Sequence, residues 1–491
     1  MNKVSSKQVI FLLIIFTFSL ATALTIMMDS SRPDYYSLLP LLPLSFLGVN
    51  ILCVGILKGI PSNIGLTLII FLYFFRLVFI PFFMVLGDYQ SLIKFNIEVN
   101  MDKAIYLLIY ELIVVYLVLY FAYASNKNIG DKERIFSKRA INFRLFGFVL
   151  SGLIMFVLFV WIVIPESQQI YKTIFDMGDP NFSSGFYNYR TEFTGGLERV
   201  LLTLFVLIMD FVIIFVPAYF MVQIKKKLKS KKRIIISVPF IFIPFLFVSA
   251  TIAQSVITAF LLLLFLGKLY TDKRNKIYFL SIILATFFVV LYFIVRFNTG
   301  MSRYGNENLL HYLSSVLISY FSGVDSIAAI FNLPQTTLKW ESLFFNIYGA
   351  IPFNNTLFGM KGINLQNLFN LANDSHGQIP PTIAAGKYYF GFIFAPVFSA
   401  IIAFISIKYG FKAQNQQNLW KYISYTFLSL VMAMGLVVYN ETIILRWFTN
   451  LILPMLFLSY LSDDDEFDFI KNDDELNYPG KVGNNEIKKG C

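Results

Sequence analysis

Residues 9 to 28, VIFLLIIFTFSLATALTIMM, run for 20 positions without a charge. At about 1.5 Å of rise per residue, a helix of that length crosses a hydrocarbon core of about 30 Å. No small-residue cleavage site follows, so the run reads as a first crossing rather than the apolar part of a removable signal. Comparable runs recur near 38–57, 64–86, 104–124, 145–165, 200–221, 234–249, 252–267, 277–296, 388–407, 422–439 and 442–461, twelve in all with the first. Lipid offers backbone amides no partner, so a lipid-facing run of this kind must satisfy them internally as a helix. The expected fold is therefore an all-α, polytopic integral membrane protein of about 12 transmembrane helices, with one domain over 1–461. Composition agrees, since 57% of residues are hydrophobic and only 14% charged, against about a quarter charged in soluble chains. Cys53 lies inside a run and Cys491 at the terminus, so no disulfide is expected and the redox compartment stays undetermined.

Charge orients the chain. Lys and Arg concentrate in cytoplasmic loops, and with the N-terminus inside, 27 of the 40 basic residues fall inside, 11 outside and two, Arg76 and Arg446, within crossings. KKKLKSKKR (225–233) and KLYTDKRNK (268–276) flank the apolar stretch 234–269, so an even number of crossings lies between them. Most of the +11 balance is thus explained by topology, and no nucleic-acid partner is expected. The tail 462–491, beginning SDDDEF, reads as a solvated, disordered cytoplasmic extension. Its aspartates resemble a metal-binding run only superficially.

Segments 87–103, 166–198 and 297–387 then face outward. The last is long for a connection, and long ordered loops are usually functional. It carries LLHYLSSVLISYFSGVDSIAAIF (309–331), whose periodicity predicts a helix lying against the membrane or the bundle, with His311 packed rather than catalytic. Gly, Pro and Asn turns in IYGAIPFNNTLFGMKG and DSHGQIPPTIAAGKYYFG fold the segment back on itself.

The twelve crossings, the smaller outer segment with FYNYRTEFTGG (186–196), and the large one leading through GQIPPTIAAGKYYFGFIFAPVF (377–398) into the next crossing together resemble the O-antigen and capsular polysaccharide polymerases of the Wzy type. His376, followed by Gly386 and Tyr389, approximates the histidine-to-glycine pattern of the related O-antigen ligases, with the spacing off by one and Gly377 in place of the usual polar neighbour. The resemblance implies a membrane glycosyltransferase that joins undecaprenyl-pyrophosphate-linked oligosaccharide repeat units on the outer face of the bacterial cytoplasmic membrane. It also implies a flippase and a chain-length regulator of the same pathway as partners.

An activated diphosphate leaving group requires neither nucleotide nor metal, so no cofactor is expected. The chemistry needs cations for the diphosphate and a base or good positioning for the acceptor hydroxyl. Arginine suits the first task through its planar, permanently charged fork. Arg190, Arg296 and Arg303 are the outer-face candidates, against the alternative of arginines that only snorkel to headgroups. Arg76 and Arg446 lie deeper, where a charge must pair or line a polar cavity. For Arg76 a structural pair with Glu111 or Asp210 and a lipid-diphosphate site both stay open. His376 and Glu192 are the candidate bases, and Tyr189, Tyr388 and Tyr389 offer rings for sugar faces. The rival functions are an O-antigen-ligase-like or other lipid-linked glycosyltransferase, and a lipid-linked oligosaccharide flippase. The halves of the chain show no repeat of the kind transporters carry, and no filter-like repeat suggests a channel.

Overall fold

Helices are the only regular elements among the described residues, and the positions at which they break matter more than their number. The computed structural model describes residues 6–60, 62–89, 95–126, 143–173, 196–228, 232–248, 252–281, 283, 309–321, 323–334, 338–352, 362–375, 378–416 and 418–461. In chain order the helices are α1 (Ser6–Met28), α2 (Leu41–Leu52), α3 (Ile64–Phe74), α4 (Ile80–Leu86), α5 (Met101–Asn126), α6 (Phe143–Val163), α7 (Gly196–Lys227), α8 (Arg233–Ser237) and α9 (Ile252–Leu269). They continue with α10 (Leu309–Tyr320), α11 (Val324–Ala329), α12 (Leu338–Ala350), α13 (Leu365–Ala372), α14 (Thr382–Phe394), α15 (Val397–Gln414), α16 (Leu419–Gly435), α17 (Glu441–Trp447) and α18 (Leu453–Leu461). Strand-like pairing among these residues is confined to one isolated bridge, Lys172 to Val248.

Six described helical segments are long and apolar enough to cross a membrane, and two sharply bent pairs raise the number to eight. The six are Val9–Met28, Asp34–Leu52, Ile64–Leu86, Glu98–Asn126, Gly196–Lys227 and Glu441–Ser459. Their outer faces suit lipid: Val9, Ile10, Leu13, Ile14 and Phe16 of α1 are all exposed.

The expected twelve crossings differ from this pattern for local reasons. Over 234–249, Pro239 and Pro244 remove amide donors, and α8 passes into a 3-10 stretch, Val238–Leu246, leaving a short apolar piece. After α9 the axis turns by 110° into Thr271–Ser281, and most of the expected crossing 277–296 lies outside the described residues. The expected continuous crossing 388–407 is broken, because α14 and α15 meet at 111°. Gly391 adopts φ +78°, which an L side chain resists, and the chain folds back so tightly that a Cβ on Gly386 would overlap the Ala395 carbonyl. Pro396 then starts α15.

The centre of the bundle is α15 and α16 with α3 and α5. Ser406 and Ser429 exchange hydroxyl-to-carbonyl hydrogen bonds of 2.8 Å each. A Cβ on Gly65 would meet both serines at 2.5–2.6 Å, so three helices approach closely at one point. Small residues permit this approach within apolar surroundings, where packing rather than water drives helix association. A smaller apolar cluster joins α6 to α7 through Val157, Val160, Leu202 and Phe205.

Contacts sort the connections to two ends. At one, Asn63 Nδ2 donates to Ile407 O (3.0 Å), Lys225 Nζ to Leu269 O (2.7 Å) and Lys268 Nζ to Gln414 O (3.2 Å). At the other, Tyr36 donates to Asp325 (2.8 Å), His311 Nε2 lies 2.9 Å from Asp88 Oδ2, and Asn100 donates to Asn332 (3.1 Å). Helices α10 and α11 are therefore part of the bundle at this second end, and every residue of α11 is buried.

Candidate functional site, a buried polar seam

A seam of polar side chains lies at the second end, where three helix interruptions coincide. The first interruption is a π turn, Phe75–Phe79, between α3 and α4, and it carries Arg76. Single π turns inside helices are frequent at functional sites. Arg76 Nη1 donates to Glu111 Oε2 at 3.1 Å, with both side chains fully enclosed, and lies 3.5 Å from the Leu436 carbonyl. Ser399, in the first turn of α15, donates to the other Glu111 oxygen at 2.5 Å. Of the alternatives open for Arg76, the structure realises the pair with Glu111. Asp210 instead accepts from the Tyr171 hydroxyl at 3.0 Å.

The second interruption separates α16 from α17. The Thr382 hydroxyl, at the start of α14, reaches the carbonyls of Gly435 (2.6 Å) and Tyr439 (3.1 Å). It thereby serves groups that the end of α16 leaves without helical donors. Asn440 caps α17 by accepting from Ile443 N at 3.0 Å.

The third is the reversal at Gly391, beside which Asn346 of α12 acts as a hub. Its Nδ2 donates to Tyr389 OH and to Glu441 Oε1, both at 2.8 Å, while its Oδ1 accepts from Leu365 N at 3.4 Å. One amide thus ties together α12, α13, α14 and α17. Glu441 is 6% exposed, and no donor among the described residues reaches its second oxygen, Oε2. Asn440 Nδ2 is likewise buried without a partner among them. Unmade hydrogen bonds at buried polar atoms cost about 1–3 kcal/mol each, so two in adjacent residues mark a place where another group completes the set.

Asparagines fasten the covering segments. Asn332 donates to the Asn96 carbonyl (2.8 Å) and to Asn373 (3.1 Å), and Asn373 donates to the Ala329 carbonyl (3.3 Å). Asn370 accepts from Ser375 Oγ (2.9 Å) and Gln378 N (3.0 Å) and donates to Gln378 O (2.9 Å). Burial pushes the Asp325 carboxyl up to about 6, with the Tyr36 hydrogen bond opposing the rise.

The sequence candidates fall into two groups. Arg190, Glu192, Tyr189, Arg296, Arg303 and His376 lie outside the described residues. Of the described candidates, Tyr388 and Tyr389 are 1% and 0% exposed, and the Tyr389 ring meets Tyr388, Phe390 and Phe398. Their ring faces pack against protein rather than standing open to a sugar. Arg446 is half-buried farther along α17 from Glu441. Sequence reasoning missed Asn346, Thr382, Ser399 and Glu441. The one available signal was Asn440-Glu441, an isolated polar pair between two apolar runs.

Among the described residues no three His, Cys, Asp or Glu side chains are arranged to hold a metal ion. The chain is an all-helical protein with several helices fit for a lipid bilayer. No family model matches it, and no curated protein and no solved structure is significantly similar to it.

Proposed function

We propose that this chain is a membrane glycosyltransferase of the bacterial cytoplasmic membrane. It polymerises undecaprenyl-pyrophosphate-linked oligosaccharide units into a surface polysaccharide on the outer face. The observation that supports this most is the incomplete polar seam around Glu441, set beneath the folded segments of 309–372 at one end of an apolar bundle. Non-helical backbone at membrane depth is tolerated where it is buried in protein or lines a cavity, and the break at 436–440, buried throughout, has that character.

In this reading the chain crosses twelve times, both termini are cytoplasmic, and 166–198 and 297–387 are the outer segments. The acceptor hydroxyl oxygen attacks the donor's anomeric carbon. The bond from that carbon to the diphosphate oxygen breaks, and undecaprenyl pyrophosphate leaves with the electron pair. The hydroxyl proton passes to a side-chain base. Glu441 joins His376 and Glu192 as a candidate for that base, because its Oε2 is held in place through Asn346 yet has an open acceptor position. Arg190, Arg296 and Arg303 take the diphosphate, since the Arg76 guanidinium already binds a carboxylate.

A flippase reading draws on the same broken helices, which transporters use at their binding sites. Deleting the protein separates the two. The polymerase reading expects single repeat units on lipid that reach the outer face, and units trapped on the cytoplasmic face would end it. An otherwise normal polysaccharide that fails only to reach its final acceptor would point to a ligase.

A further inference from the structure

A cavity of about 10 Å³ lies between α7 and α9, beside the 3-10 stretch that follows α8. Its polar lining is Asp210 of α7 with Gln254, Ser255 and Thr258 of α9, and its apolar wall is Ile213, Pro244 and Phe247. Gln254, Ser255 and Thr258 fall within about one turn, at spacings that put them on one side of the helix. A single water needs about 10–15 Å³, so the space admits one water or one bare ion. A sugar, a phosphate or a lipid headgroup is too large for it.

Charge and donor chemistry select between these guests. Asp210 lies near the midpoint of α7, inside an apolar segment long enough to cross a membrane. An ionised group at such depth is costly unless it is paired. Its hydrogen-bond partners are neutral: the Tyr171 hydroxyl donates to Oδ1 at 3.0 Å, and the Gln254 side chain is the other. A carboxylate offers about four lone-pair positions, so two donors leave room for a further group. The Gln254 amide oxygen and the two hydroxyl oxygens also bear lone pairs, whatever their hydrogens bond. Ser255 and Thr258 are 4% and 3% exposed, which shields the space from water. One anionic and three neutral oxygens, with no sulfur or imidazole, are the donors of a hard cation. A single carboxylate balances a monovalent ion, whereas a divalent one would leave a net charge buried.

We infer that this cavity binds one monovalent cation of about sodium's size. The Asp210 carboxylate balances its charge, and the Gln254, Ser255 and Thr258 oxygens complete its shell. Ion sites in membrane proteins commonly sit beside interrupted helices, and Pro244 stands in such an interruption. The site is separate from the seam and does not depend on the glycosyltransferase reading.

The test uses the purified full chain in phosphatidylcholine nanodiscs, with sodium chloride exchanged for choline chloride at constant ionic strength. Retention of radioactive sodium measures binding directly, and thermal unfolding measures its effect on the fold. Saturable retention and a midpoint several degrees higher in sodium are expected, because a ligand held only by the folded state stabilises it. Asp210→Asn keeps an oxygen for Tyr171 but loses the charge, and should weaken sodium binding at least about tenfold. The near-isosteric Thr258→Val should weaken it about threefold to tenfold, and keeps the question decidable should Asp210→Asn fail to fold. Asp272→Asn, an exposed carboxylate outside the cavity lining, should change it less than about twofold. A parent protein that retains no sodium saturably, or full binding by both Asp210→Asn and Thr258→Val, overturns the inference and leaves the cavity to a water.

Discussion

Glu111 and Glu441 are both carboxylates buried in an apolar bundle, and they are treated in opposite ways. Each Glu111 oxygen has a partner, Arg76 on one and Ser399 on the other. Glu441 has Asn346 on one oxygen and nothing among the described residues on the second. A buried carboxylate with both oxygens bonded holds three helices in register, whereas one with a single bonded oxygen carries a cost that a further group, such as a ligand, a proton or a substrate hydroxyl, can offset. Burial alone therefore does not separate a structural charge from a functional one. In the proposed reading, whether both carboxylate oxygens are bonded does.

The largest expected effect breaks the compensated side. Arg76→Ala leaves the Glu111 charge enclosed without its partner and should cost about 3–5 kcal/mol. The measurement is the yield of monodisperse protein after detergent extraction. The double variant Arg76→Met/Glu111→Gln should recover much of the loss, because it removes both charges. A single variant as abundant as the parent protein would show that the pair compensates nothing.

Next comes the half-compensated side. Glu441→Gln keeps an oxygen for the Asn346 amide, so stability should move by no more than about 1 kcal/mol. Polymer formation should fall about 10²-fold or more if the carboxylate accepts a proton. The readout is polysaccharide chain length at equal membrane abundance. Unchanged chain length would make Glu441 another structural carboxylate and erase the contrast with Glu111.

A smaller effect tests the reversal that brings Tyr389 beneath Asn346. Gly386→Ala places a methyl against the Ala395 carbonyl, and crowding of this kind costs about 1–3 kcal/mol. Gly391→Ala meets nothing within 4 Å and suffers only from φ +78°, about 1–2 kcal/mol. Thermal unfolding should rank Gly386→Ala as the worse variant, and the reverse order would mean that the turn opens.

The smallest expected effect concerns a third buried carboxylate, Asp325, whose value of about 6 lies above the ordinary 3.8. The folded state favours its protonated form, so the associated stabilisation is complete below about pH 4 and is lost as pH rises through about 6. The midpoint of thermal unfolding should fall by up to a few degrees between pH 5 and pH 8 for this reason. Asp325→Asn should flatten that part of the profile, and an unaltered slope would assign it to other groups.

Particular residues show how far the sequence could be read. The apolar runs 9–28, 64–86 and 104–124 return as long helices with little change of bounds, because length and hydropathy are local properties. The expected run 388–407 does not, although both of its halves are apolar. Its break depends on Gly391 and on the contact of Gly386 with a backbone nine residues away, which no local pattern records. Arg76 was legible as a charge in need of compensation, but its choice of Glu111 over Asp210, which is held by Tyr171, follows from which helices pack around it. Asn346 was invisible because a single asparagine in a polar segment carries no periodic signal, and only the fold makes it the junction of four helices.

The sequence by itself determined the class of the protein: apolar runs of about 20 residues can satisfy their backbone amides in lipid only as helices. It also determined which connections share an end, since chain direction alternates with each crossing. Only the tertiary structure decided which buried carboxylate has both oxygens bonded and which has one. Hydrogen bonds reach about 3 Å, and residues 35 positions apart, as Arg76 and Glu111 are, or 95 apart, as Asn346 and Glu441 are, come within that distance only after the helices have packed.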